Sequence, residues 1–121
     1  MTVMRVFVYR NLHKNCYSVR ALEGPMKGKV VAWEDTIVIK EPKFIVSEAG
    51  RQRVIREKRK NVHAGIRGLW MGRCPFPLKN IGGHRITYNP YRFSSFVECD
   101  SLKPVHDATL ASCEPLGVWV L

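Results

Sequence analysis

With 121 residues, 45% of them apolar, the chain has the length and composition of one globular domain with a modest core rather than of a disordered segment. Twenty Lys and Arg against ten Asp and Glu give a formal charge of +10, a field that attracts phosphates or other anions. No stretch reaches the roughly eighteen apolar residues that cross a bilayer, and residues 1–10 lack the basic, apolar and small-residue order of a signal peptide. A cytoplasmic protein that does not engage membranes is the expectation.

Residues 4–9 (MRVFVY) are β-branched and aromatic, and residues 16–22 (CYSVRAL) alternate enough to pair with them across a polar link, which predicts a hairpin. After a Glu23-Gly24-Pro25 turn come two more strand-like runs, residues 29–33 (KVVAW) and 36–40 (TIVIK), separated by Glu34-Asp35. Pro42 interrupts the second run, and residues 43–46 (KFIV) resume it.

Ser47 is placed as a helix N-cap with Glu48 at the positive end of the helix dipole, and a helix over about residues 47–61 follows. Its stretch RQRVIREKRK, residues 51–60, carries six basic side chains and one acid. At about 100° per residue, Ile55 and Val62 share a side with the stems of Arg51 and Lys58, whereas Arg53, Arg56 and Lys60 gather on the other. Beyond it, residues 62–71 alternate small and large side chains, and Gly65 and Gly68 argue for a strand that another backbone approaches closely.

Residues 74–83 (CPFPLKNIGG) read as a loop, residues 84–88 (HRITY) as a strand entering an Asn89-Pro90 turn, and residues 96–99 as another short strand. Residues 118–121 (VWVL) are too apolar to dangle, so they pair with the sheet or dock on another subunit. The fold class is therefore α+β: a single domain over residues 1–121, mainly antiparallel sheet with one principal basic helix.

Cys16, Cys74, Cys99 and Cys113 form no CxxC pair, so reduced thiols are expected. Cys99, His106 and Cys113 lack the paired knuckle of a zinc site, and neither a metal nor another cofactor is expected. The histidines are isolated and no acids pair for general acid and base work, so a small phosphodiesterase or nuclease, which needs such groups, is not assembled and no catalytic residue is assigned.

Two constellations could meet an anion. The first is Arg53, Arg56 and Lys60, supplemented by Arg67, Arg73, Lys79, Arg85 and Arg92; a charge run of this kind is ordinarily a solvated face, but clustered guanidinium forks suit phosphate oxygens. The second is Tyr88, Asn89, Pro90, Tyr91, Arg92 and Phe93, in which rings supply stacking surface, the Asn amide can bond a base edge and Arg meets phosphate. The same aromatics could equally fill the core beside a proline turn. A small basic nucleic-acid-binding protein is the alternative that these features also allow.

Taken together, MRVFVYRNLHKNCYSVRALEG, VSEAGRQRVIREKRKNVHAG and ITYNPYRF resemble the phage-encoded Thoeris anti-defence sponge family, the first described group of that name. The likeness covers most of the chain from Met4 to about Phe93. It implies a protein that catalyses nothing and sequesters cyclic ADP-ribose isomers, such as glyco-cyclic ADP-ribose, made by TIR-domain immune proteins. It also implies homo-oligomers, dimers or hexamers, with ligand near a subunit interface and in some members a separate site for cyclic oligonucleotides. Asn89, in the segment shared with the family, is the position carried over most directly. Arg56 and Arg92 are chosen on electrostatic grounds together with Arg53 and Lys60, and Phe93 or Tyr91 as the stacking ring. The glycine-rich residues 80–83 stand where a bulkier side chain could have covered the ligand. A ligand of roughly 35 non-hydrogen atoms at about 0.3 kcal/mol each gives about 10 kcal/mol, a dissociation constant on the order of tens of nanomolar.

Overall fold

A computed structural model describes residues 4–59, 62–72 and 78–121. Their strands form one ten-stranded antiparallel sheet. The predicted hairpin is β1 (Met4–Asn11) and β2 (Cys16–Ala21), in register from Val6 opposite Ala21 to Asn11 opposite Cys16. Alternation decides which way it faces: Val6, Val8 and Val19 are fully or almost fully buried, while the intervening Phe7, Tyr9 and Arg20 lie on the other face. β3 (Val30–Glu34) adds to β2, and β5 (Ala64–Gly72) adds to the far side of β1.

β4 (Ile37–Val46) lies between β5 and a long return segment. The two expected runs on either side of Pro42 are one strand with a break inside it. Glu41 takes a left-handed φ of 52°, the register with β5 shifts between Lys40 and Lys43, and the buried Pro42 has no N–H to offer a neighbour. The first half of β4 pairs with β9 (Leu110–Glu114), and the second half meets the segment after β8 (Pro104–Val105), where Lys43 bridges Asp107 and Phe44 N donates to His106 O at 2.9 Å.

From β9 the pairing continues to β10 (Gly117–Val120), β6 (His84–Thr87) and β7 (Phe96–Glu98), and β7 returns to β8. The second half of the sheet thus closes into a ring, in keeping with the tendency of large twisted sheets to curl. The C-terminal run belongs to the sheet: Leu121 N donates to Leu110 O and Leu121 O accepts from Thr109 N. One core joins both halves through Val6, Val8, Val19, Ile37, Ile39, Phe44, Ile66 and Ile86.

The helix α1 (Glu48–Glu57) is shorter than the expected 47–61 because Lys58 caps it in a left-handed conformation (φ 53°, ψ 34°). Lys60 and Asn61 lie outside the described residues. Its buried anchor is Val54, 4% exposed; Ile55 is half-buried, and Val62 and Lys58 are exposed, so the anchoring stripe sits about one residue earlier than the sequence reading placed it. Residues 74–77 of the expected 74–83 loop also lie outside the described residues, and the rest of it includes a 3-10 turn, Leu78–Ile81, with Leu78 fully buried. Among the described residues, no helix is long and apolar enough to cross a membrane.

Gly65 meets the close approach its sequence position suggested. A Cβ there would stand 2.6 Å from Val8 O and 2.5 Å from Phe7 Cζ, so the ring of Phe7 rests on the bare backbone of β5. Gly65→Ala is expected to lower stability by about 1–3 kcal/mol through overpacking, measured by urea unfolding.

Candidate ligand-binding site

The chain enters α1 as its sequence predicts. Ser47 Oγ accepts from Gly50 N at 3.2 Å, and Ser47 N donates to His63 O at 2.7 Å, so both ends of the helical excursion are stitched together where β4 leaves and β5 begins. A Cβ on Gly50 would lie 2.8 Å from His63 Cβ, which shows how closely the first turn sits on His63. Glu48, in that turn, accepts from Gln52 Nε2 and Arg51 Nη1, each at 2.8 Å. The Gln52 bond first, and then Arg51, hold its carboxyl below the usual carboxylate range.

Arg51 ties the helix to the turn after β6. Its Nε donates to both Pro90 O at 2.9 Å and Phe93 O at 2.7 Å, while Nη1 pairs with Glu48 at 2.8 Å; the side chain is only 15% exposed. Pointing two backbone carbonyls at one guanidinium fixes the turn's position against the helix. The turn is also closed from within: Asn89 Oδ1 accepts from Tyr91 N at 2.9 Å, and Asn89 O accepts from Phe93 N at 2.8 Å and Arg92 N at 3.1 Å.

Behind the turn, Tyr88 hydroxyl meets His63 Nε2 at 2.5 Å, and the Tyr88 ring stacks on Phe96, which in turn packs against Phe44 of the core. Burial pushes the Tyr88 hydroxyl up to about 12.

The structure brings part of the predicted set together. Asn89, Tyr91, Arg92 and Phe93 share the turn, and the Arg92 guanidinium sits 5.1 Å from the centre of the Phe93 ring. Asn89, Tyr91 and Arg92 are exposed and Phe93 is half-buried. Arg53 and Arg56 are exposed on α1, roughly 160° and 140° around the helix from Arg51 at 100° per residue. They stand on its solvent side, whereas Arg51 faces the turn. Lys60 lies outside the described residues. Sequence reasoning gave Arg51 a structural role but credited its stem; the guanidinium does the joining. Its signal was the Glu48/Arg51 spacing of three, which places acid and base side by side on a helix.

Cys16, Cys99 and Cys113 are free thiols, and Cys74 lies outside the described residues. Cys113 is fully buried, and burial pushes its thiol up to about 12, away from the reactive thiolate form. Among the described residues, no three His, Cys, Asp or Glu side chains converge as metal ligands.

These features define a small, mainly antiparallel β domain carrying one short helix, with an exposed turn fastened to that helix by a single arginine. The chain belongs to the family described as the Mycobacterium phage L5 gene 82 protein, whose profile matches residues 1–121. It is 42% identical to the gene 82 protein of Mycobacterium phage L5 over 121 aligned residues, covering 95% of this chain and 94% of that protein. No solved structure matches it.

Two outcomes test this arrangement. Arg51→Met keeps an apolar stem but removes the guanidinium, and should cost about 2 kcal/mol in urea unfolding because hydrogen bonds to a charged donor are lost. Tyr88→Phe should cost about 1 kcal/mol at neutral pH. Because the folded-state value of Tyr88 is raised from 10.0 to about 12, its contribution is complete below pH 10 and is lost as pH climbs toward 12. Unfolding measured across that window should therefore lose less stability in Tyr88→Phe than in the parent. Burial also raises Tyr17, which leaves a residual alkaline loss in both proteins.

Proposed function

We propose that this protein binds and sequesters, without cleaving it, a cyclic ADP-ribose isomer of the kind TIR-domain immune proteins produce, and so acts as a phage anti-defence sponge in the host cytoplasm. The observation that carries the reading is the Arg51 clamp, which holds the exposed 89–93 turn in a fixed position beside α1. The turn belongs to the ITYNPYRF segment on which the resemblance to the Thoeris anti-defence sponges rests most directly. Preorganisation favours tight capture because less conformational freedom is lost on binding.

In this reading Asn89 uses its Oδ1 inside the turn and offers its Nδ2 donors to the ligand's base or ribose. Arg92 meets the pyrophosphate, Phe93 or Tyr91 provides the stacking ring, and Arg53, Arg56 and Lys60 supply the attractive field. Ligands of this size are ordinarily buried over most of their surface, yet Asn89, Tyr91, Arg92, Arg53 and Arg56 are all exposed. A second copy of the chain therefore closes the recess, as a dimer or within a hexamer. Cyclic oligonucleotide signals would occupy a separate site in such an assembly.

The test is to incubate the protein with glyco-cyclic ADP-ribose, denature it and identify what is released by chromatography and mass spectrometry. Intact ligand, depleted from solution and recovered on denaturation, is the expected result; a cleaved product, or no depletion, overturns the proposal. Asn89→Asp keeps the acceptor that closes the turn while replacing donors with a negative charge. It and Arg92→Ala should each weaken binding by about tenfold or more in calorimetry, the effect of losing a charge-assisted hydrogen bond, with unfolding little changed.

A further inference from the structure

The register places three rows of side chains on the outer face of β3, β2, β1, β5 and β4, opposite the core. One row runs Lys43, Arg67, Phe7, Arg20; a second runs Lys40, Leu69, Arg5; a third contains Trp33 and Ser18 on β3 and β2, with Ile45 and Gly65 on β4 and β5. Asp107 stands opposite Lys43 across the isolated bridge and Glu23 Oε1 accepts from Arg5 N at 3.0 Å, whereas the row positions themselves carry only basic, apolar or small side chains. Arg5, Lys40, Lys43 and Arg67 are exposed, and Trp33 is 51% exposed.

Cations and rings interleave across this face. The Arg20 guanidinium lies 5.7 Å from the Phe7 ring centre and 5.5 Å from that of Tyr9, and the Lys14 ammonium lies 4.7 Å from that of Trp33. These contacts hold positive charge flat against the aromatic floor, and the Gly65 backbone lets the Phe7 ring settle into that floor. The Lys43-to-Arg20 row crosses three strand spacings, roughly 14 Å. A compact mononucleotide would use one end of it, whereas an extended polyanion uses the whole row.

We infer that this face binds single-stranded nucleic acid, with phosphates on Lys43, Arg67, Lys40 and Arg5 and unstacked bases on Trp33 and the Arg20 guanidinium plane. Charge complementarity calls for a polyanion, and the rings call for bases free to stack, which a duplex withholds. The surface lies away from the 89–93 turn and does not depend on the function proposed for it.

The experiment is fluorescence anisotropy with a dye-labelled thymidine oligonucleotide titrated at several salt concentrations. Trp33→Ala should weaken binding about tenfold, the scale of one lost base stack. Arg67→Gln should reduce the slope of log affinity against log salt by about 0.7, one phosphate contact on a single strand. Lys103→Gln, the same charge change on the β7–β8 turn, should leave affinity and slope at their parental values. Circular dichroism checks that each variant is folded. The inference is overturned if the parent does not bind at low salt, if Trp33→Ala binds like the parent, if Lys103→Gln is as damaging as Arg67→Gln, or if a duplex of equal length binds more tightly.

Discussion

The break at Glu41 and Pro42 is the constraint on which the rest of the fold rests. Without it β4 would be a straight strand with one flat neighbour on each side. With it, the same ten residues pair with β5 along one edge while turning their other edge first toward β9 and then toward the segment after β8. The bend allows the second half of the sheet to curl back and complete its ring. It also brings Phe44 against Phe96, the contact through which Tyr88 and the turn beyond it are fastened to the core.

The basic segment of α1 is divided by helical geometry into groups with unlike environments. Arg51 is mostly enclosed, its charge met by Glu48 and two carbonyls. Arg53 and Arg56 remain in solvent, where their charges are screened by salt but are free to meet an incoming anion. A second concentration of charge lies on the outer face of the sheet, where alternation along β1, β5 and β4 sends Val6, Val8, Ile39 and Ile66 inward and Arg5, Arg67, Lys40 and Lys43 outward. The formal charge of +10 is thus distributed over at least two surfaces of different shape.

Local chemistry made several elements legible. The β1–β2 hairpin followed from its alternation, the start of α1 from Ser47, and the close backbone approach on β5 from Gly65 and Gly68. Strand β9 was missed because LASCE has little β-branched character; pairing with β4 on one side and β10 on the other makes it a strand. The helix end was overextended because nothing in the sequence around Lys58 announces a left-handed cap, a conformation that glycine more often supplies. In the candidate site, residues 89–93 could be read as a turn from Asn-Pro. The arginine that holds it lies about forty positions earlier, a distance that only the folded chain closes.

The position of β10 bears on the order in which the protein folds. Its residues 117–120 leave a ribosome after those of every other described strand, yet they sit between β9 and β6 rather than at an edge. Until they arrive, β9 and β6 each present an unsatisfied row of backbone donors and acceptors to whatever lies nearby. The β1–β2 hairpin can form from local contacts during synthesis, whereas the ring must wait for the chain to emerge. Nascent chains are therefore most prone to edge-to-edge association in the interval just before the final strand inserts.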